Sequence, residues 1–161
     1  IKRFDLLIHA WKGINEKLEI IGDGQEKNNL LTIIENNNLA KQITIRSEVN
    51  SQELGNIYKK AKGLIITSLR EGGPRVALEA AAFNLPVFGT NVGIMGELFP
   101  QEVLADPNNE DEIIFLIRSF VPLAKSFNVS AIKERIFESY TVESSAKKVS
   151  KIYNSVLSNS L

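Results

Sequence analysis

Two glutamates, Glu71 and Glu79, stand eight positions apart with the turn Gly72-Gly73-Pro74 between them. An apolar strand candidate, Gly63-Leu64-Ile65-Ile66-Thr67, runs just before them, and the residues after the turn have the composition of a helix. A strand that feeds a glycine turn and then a helix leaves free N–H groups at the positive end of a helix dipole, which favours bound phosphate. A carboxylate on either side accepts hydrogen bonds from hydroxyl groups. Hydroxyls flanking a phosphate describe a nucleotide-sugar. Gly72 and Gly73 let the backbone approach a ligand closely. Pro74 suits the first helical position, where its missing N–H costs nothing; it also removes one donor and leaves the amides of Gly73, Arg75 and Val76 as candidates. Glu79 lies about a turn and a half into the helix and leans back toward its start. The helix rise plus the turn then separates the two carboxylates by roughly 10 Å, about the span of a diphosphate between a sugar and a ribose. Taken alone, the same residues are also compatible with an ordinary helix start and one surface glutamate.

The elements that must position these residues alternate along the chain. Phe4 to Trp11 has apolar residues at helical spacing, and Leu18 to Ile21 reads as a short buried strand closed by Gly22-Asp23-Gly24. A helix over residues 25–37, a strand at Ile43 to Ile45 and a helix capped by Asn50 or Ser51 follow. After the strand at Leu64 come a helix from Pro74 to Phe83, a strand at Pro86 to Gly89, a short helix around Glu97 and an edge strand at Val103-Leu104. Asp106 to Asn109 caps a helix from Glu110 to Val121, and two more helices cover Ser130 to Ser139 and Val142 to Leu157. Apolar strands that lack alternation and are joined by helices predict an α/β fold: a Rossmann-like parallel sheet with helices on both faces. Such sheets bind ligands at the carboxyl ends of their strands, which is where Glu71 to Pro74 falls.

Bulk properties narrow the function classes. At 161 residues, with 43% apolar and 24% charged residues, the chain is one ordinary globular domain. Nineteen basic residues balance nineteen acidic ones, so no global field attracts nucleic acid and an anion site must be local. The chain has no cysteine and one histidine, which excludes disulfides and argues against a zinc site. The start at Ile1-Lys2-Arg3, without Met and already inside an amphipathic pattern, reads as a piece of a longer protein.

The Glu71 to Glu79 segment resembles the Glu-x7-Glu signature of the retaining glycosyltransferases of family 4, the "glycosyl transferases group 1" domain. Further motifs occur in the family's order. Lys2 to Ala10 looks like its Lys-Gly-x-Asp-x-Leu-Ile-x-Ala helix, with Arg3 where Gly is usual. Leu18 to Gly24 looks like the strand ending in Gly-x-Gly, and Ile43 to Leu54 like the next strand and helix, with Ser47 in a usual Gly position. Ala80 to Val87 matches the stretch ending in Gly-x-Pro-Val, with Leu85 displacing Gly. Gly93 to Glu97, Asp106-Pro107 and Phe137 to Tyr153 match later landmarks.

The resemblance implies a C-terminal donor-binding domain over residues 1–161, one half of a GT-B fold, with the N-terminal acceptor domain absent. It implies transfer of a sugar from a nucleotide diphosphate donor with retention, and polysaccharide assembly as a setting. Glu71 would contact the donor sugar near the reacting centre, and Glu79 the ribose hydroxyls. The backbone of Gly72, Gly73, Pro74, Arg75 and Val76 would cradle the diphosphate, and Lys2 would neutralise it. Base contacts would come from Ser47, Glu48 and Val49. No cofactor and no protein-bound metal is expected. The other implied partners are the missing domain and an acceptor of unassigned class, lipid-linked molecules included; nucleic acid is not among them. A cytoplasmic location is expected, with peripheral attachment at the inner membrane face open for the full-length enzyme. The family's commoner turn is Glu-Gly-Phe-Gly, and Glu-Gly-Gly-Pro departs from it. A GT-B nucleotide-sugar epimerase and a non-catalytic nucleotide-binding domain are the alternatives. His9 and the Lys147, Lys148 and Lys151 face read as exposed helix residues, Trp11 as packing, and Glu110-Asp111-Glu112 as favourable charge at a helix start. Glu97 reads equally as a donor neighbour or as a cap.

Overall fold

The computed structural model describes residues 2–158, with side chains to residue 151; Ile1 lies outside them. Five short strands carry the fold, and every pairing is parallel. Strand β1 (Leu18–Ile21) pairs with β2 (Ile43–Arg46), Leu18 opposite Ile43. Strands β3 (Leu64–Ile66), β4 (Val87–Thr90) and β5 (Leu104–Ala105) form a second ladder in that order. Parallel neighbours need crossover connections, and helices supply them: α1 (Phe4–Ala10) precedes β1, α2 (Lys27–Asn36) joins β1 to β2, α3 (Ser51–Lys60) joins β2 to β3, and α4 (Arg75–Ala82) joins β3 to β4. Helix α5 (Met95–Leu98) and a 3₁₀ turn at Gln101–Val103 lead to β5. Helices α6 (Glu110–Ser126), α7 (Ser130–Ser139) and α8 (Val142–Ser158) close the chain.

The expected single sheet is divided into two hydrogen-bonded ladders; no ladder joins them among the described residues. The α/β class and parallel sense are as expected. All four residues of β4 are buried, so both of its faces are covered. Phe88 meets Phe120 of α6 edge-on at 5.3 Å between ring centroids, and Trp11 packs on the same Phe120 at 6.3 Å. Ile8, Met95, Ile113 and Ile117 complete this centre. Trp11 is therefore a packing residue; its indole N–H donates to the Glu16 carbonyl at 3.0 Å.

Three local differences from the sequence expectation have physical causes. Helix α6 runs past Pro122 to Ser126, because Leu123, Ala124 and Phe127 continue an apolar face that packs on the core. That burial outweighs the cost of about 3 kcal/mol for an interior proline. Pro74 is the N-cap of α4 and not its first helical residue: its ψ of 97° is extended, and the helix begins at Arg75. Leu85 does not occupy the glycine place of the Gly-x-Pro-Val stretch. Asn84 does, with a left-handed φ of 63°, whereas Leu85 is 4% exposed and belongs to the core. Asparagine tolerates this conformation through its short polar side chain.

His9 is exposed, as are Lys147, Lys148 and Lys151. Asn109 caps α6 by accepting from the Glu112 N–H at 3.2 Å, and the acidic run lies in the first turn. Among the described residues no single helix is long and apolar enough to cross a membrane.

Candidate functional site

The loop after β3 carries Glu71 beside the chain's first described residues. Lys2 donates from Nζ to Glu71 Oε1 at 2.7 Å, and Ser68 donates from Oγ to the same oxygen at 2.5 Å. The hydroxyls around this node are buried. Thr67, Ser68 and Thr90 are each no more than 2% exposed. Thr67 Oγ1 donates to the Lys2 carbonyl at 2.7 Å, and Thr90 Oγ1, from the end of β4, donates to the Ser68 carbonyl at 2.6 Å. Thus the ends of β3 and β4 pin both partners of the Lys2–Glu71 pair. Oε2 of Glu71 is left as an acceptor.

Replacing Thr90 with valine preserves shape but leaves the Ser68 carbonyl without its buried donor. The expected loss is about 1–3 kcal/mol of stability, read by denaturant unfolding, and an unchanged midpoint would refute the buried bond.

Partial burial pushes the Glu71 pKa up. The hydrogen bonds from Lys2 and Ser68 and the charge of Lys2 outweigh it and hold the carboxyl below its ordinary value. Glu71 is therefore a carboxylate throughout the neutral range. A depressed folded pKa contributes stability that is complete above the unfolded value and is lost as pH falls through the folded one. Lys2 is 57% exposed, so solvent screening keeps that contribution small. The Glu71 carboxyl, followed by carbon-detected NMR titration, is expected to titrate at higher pH in Lys2→Met than in the wild type. A downward or absent shift would contradict the pairing.

Arg3 follows Lys2 with φ 55° and ψ 41°, a left-handed backbone that glycine adopts more readily than arginine. Its guanidinium donates to the Pro107 carbonyl at 2.8 Å and pairs with Glu110, fastening the Lys2 segment to the start of α6.

The Gly72-Gly73 turn is exposed and rests against the loop after β4. Gly93 has φ +53°, and a Cβ there would lie 2.4 Å from the Gly72 carbonyl oxygen and 2.9 Å from that of Glu71. A Cβ on Gly72, by contrast, would meet nothing within 4 Å. Pro74 is buried, and its carbonyl accepts from the Ala77 N–H at 2.9 Å. Among the described residues, no carbonyl or side chain outside the regular elements accepts from the N–H groups of Gly73, Arg75 or Val76. These donors sit at the N-terminus of α4, where the helix dipole adds positive potential.

Glu79 lies on α4, and its Oε2 accepts from the Tyr58 hydroxyl of α3 at 3.2 Å. Ser47 and Glu48 are exposed and Val49 half-buried just beyond the carboxyl end of β2. They adjoin the turn after β1. Lys27 donates to Asp23 at 2.8 Å and lies 3.4 Å from Ser47 Oγ. The Lys27 hydrogen bond is the main reason the Asp23 pKa is lowered, with smaller help from the Glu48 backbone and Ser47. The structure thus forms three groups, around Glu71, Glu79 and Ser47, at loops or helices following β3 and β2. No side-chain hydrogen bond joins them among the described residues. Glu97 is exposed and accepts from the Tyr140 hydroxyl at 3.4 Å, separate from all three.

The sequence profile described as "Glycosyl transferases group 1" matches residues 1–126. The chain belongs to this family. An uncharacterised glycosyltransferase of Methanocaldococcus jannaschii is 31% identical over 115 residues, which is 70% of this chain and 32% of that protein. The group 1 glycosyltransferase domain thus spans about a third of the length of the relatives it matches. The structure of a mutant of S. aureus TarM in complex with Fondaparinux, alpha-GlcNAc-glycerol and UDP superposes with a TM-score of 0.79. Its identity is 26%, over 95% of this chain and 33% of TarM. The C-terminal domain of the group 1 family protein LpcC from Francisella tularensis superposes with a TM-score of 0.72 at 20% identity, covering 88% of this chain and 80% of that one. The glycosyltransferase domain has the Rossmann-like form of one half of a GT-B fold.

For the site candidates Lys2, Glu71 and Glu79, the hydroxyl partners Ser68, Thr67, Thr90 and Tyr58 are not named by the sequence expectation. Ser68 has a local signal, since a serine three residues before a glutamate has the spacing of a side-chain turn. Thr90 and Tyr58 act from other elements and have none. A cavity of about 640 Å³ opens elsewhere, lined by Phe99, Phe127, Ile132 and Arg135 among others, and by none of Lys2, Glu71 and Glu79.

Proposed function

We propose that this chain is the donor-binding half of a retaining glycosyltransferase that moves a sugar from a nucleoside diphosphate to an acceptor. The observation that carries the proposal is the Lys2–Glu71–Ser68 node at the mouth of the Gly72-Gly73 turn. It joins a cation, an ionised carboxylate with one free oxygen, and free backbone N–H groups. The similarity to the LpcC C-terminal domain over most of both chains supports the half-enzyme reading, and the UDP in the TarM structure supports a nucleotide donor.

In this reading the N–H groups of Gly73, Arg75 and Val76 hold the diphosphate. Lys2 turns from Glu71 toward its oxygens as negative charge grows on the leaving group. Glu71 accepts from a sugar hydroxyl and fixes the sugar over the breaking bond. Glu79 accepts from the ribose, and the Ser47 to Val49 loop lies beside the base. The acceptor is met by another part of the longer protein.

Isothermal titration of the chain with UDP, GDP and ADP tests this. At least one is expected to bind, and Glu79→Ala is expected to weaken it about tenfold or more, as the loss of a charged hydrogen bond implies. No binding to any of the three, or an unchanged affinity in the variant, would sink the proposal.

A further inference from the structure

Tyr58 sits on α3 and is only 6% exposed, yet its hydroxyl reaches the carboxylate of Glu79 on α4, 21 residues away. Several features hold the phenol there. The Phe83 ring, just past the end of α4, lies 5.6 Å from the Tyr58 ring, tilted by 45°. Phe83 in turn lies across Gly55 in the middle of α3, where a Cβ would come within 3.1 Å of the ring. An interior glycine weakens a helix relative to alanine; at this position it seats the aromatic ring that braces Tyr58. Burial, and then the charge and hydrogen bond of Glu79, push the Tyr58 pKa up. The phenol therefore remains protonated and serves as a donor. Among the described residues Glu79 has no other side-chain hydrogen bond.

A free surface glutamate samples many rotamers, and ordering it on ligand binding costs free energy. One oxygen of Glu79 is already held, so the rotamer is selected before a ligand arrives and the second oxygen is presented as a pure acceptor. We propose that Tyr58 is a positioning residue for Glu79, holding its carboxylate ready for the ribose hydroxyls of a bound nucleotide. The role rests on the donor-site reading above. It predicts that ribose preference depends on a hydroxyl that never touches the ligand.

The test measures affinities of two ligands for three proteins and the double variant. The ligands are the nucleoside diphosphate that the wild-type chain binds best and its 2′,3′-dideoxy counterpart; the proteins are wild type, Tyr58→Phe and Glu79→Ala. Tyr58→Phe keeps the ring and its packing, and thermal melting checks that the fold is retained. Affinity for the ribonucleotide is expected to fall about three- to tenfold in Tyr58→Phe, the effect of one hydrogen bond. Affinity for the dideoxy ligand is expected to stay unchanged. Adding Tyr58→Phe to Glu79→Ala should cause no further loss. Equal weakening of both ligands would show a merely structural role and overturn the inference. So would an unchanged ribose preference in Tyr58→Phe while Glu79→Ala abolishes it, and that result would leave the donor reading standing. A wild type that binds no nucleoside diphosphate, or binds the two ligands alike, overturns the donor reading and the role of Tyr58 with it.

Discussion

Gly93→Ala is expected to dislodge the Glu71 turn and destabilise the whole domain. Two costs coincide at this position. The backbone is left-handed at φ +53°, and the added methyl would lie 2.4 Å from the Gly72 carbonyl oxygen. The conformational term alone is about 1–2 kcal/mol. The opposing atoms are backbone, so relief requires the turn or the start of α5 to move, and crowding of this kind adds about 1–3 kcal/mol. For a chain of this size the sum corresponds to a fall in Tm of roughly 5–15 °C. Nucleotide binding should be lost in parallel, because the displaced backbone includes the Gly72 and Glu71 carbonyls. Gly72→Ala is the matched control: its methyl meets nothing within 4 Å of protein, so the melting temperature should stay near that of the wild type. Calorimetry of both variants checks the pair. Equal melting temperatures for Gly93→Ala and the wild type would mean that the two loops do not abut.

The second large effect is on turnover. Glu71→Gln, made in the longer transferase proposed above, retains the shape of the side chain and can still accept from Ser68, but it removes the charge that pairs with Lys2. A neutral amide is a weaker acceptor for a sugar hydroxyl and leaves Lys2 without its partner in the free enzyme. If Glu71 acts at the reacting sugar, the expected loss in kcat is about 10²-fold or more, the scale seen when one preorganised electrostatic contact is removed. KM for the donor should change much less. Glu79→Ala should show the opposite split, with the larger effect on donor KM. A kcat within a few-fold of wild type in Glu71→Gln would remove Glu71 from the reacting centre.

Much of the fold is legible in the chain itself. The apolar runs at Leu64 and Val87 lack alternation, and β4 is buried along its whole length, as a strand covered on both faces is; β1 and β2 each leave a polar residue exposed, Glu19 and Thr44, yet all four strands form parallel pairs. Helix α7 spans Ser130–Ser139 as expected, because its apolar spacing and its breaks are local. Where the expectation fails, tertiary packing or backbone conformation overrides a local rule. Pro122 has the look of a helix end, but burial of the residues after it carries α6 onward. Pro74 has the look of a first helical residue, yet the chain is still extended there. The glycine place expected at Leu85 belongs to the left-handed Asn84.

The site divides in the same way. Type and spacing single out Glu71 and Glu79 as candidates, and Lys2 is added only by the family resemblance. They do not reveal what holds these residues, because Thr90 reaches Ser68 across 22 residues and Tyr58 reaches Glu79 across 21. Hydroxyl donors have no periodicity of their own, so only the folded chain reveals which carbonyl or carboxylate they serve. The backbone contact between Gly93 and Gly72 is hidden for the same reason, although Gly93 stands out as a landmark.

In the proposed function, nucleoside diphosphate binds along the edge from Lys2 through the Gly72-Gly73 turn to Glu79. Amide NMR spectra of the chain, recorded during titration with UDP, GDP and ADP, test this most directly. With the ligand that binds, the largest shifts are expected to cluster at Lys2, at Gly72, Gly73, Arg75 and Val76, and at Glu79, with a weaker set at Ser47 to Val49. Shifts centred instead on the cavity beside Phe127 and Arg135, or no shifts with any of the three ligands, would contradict it.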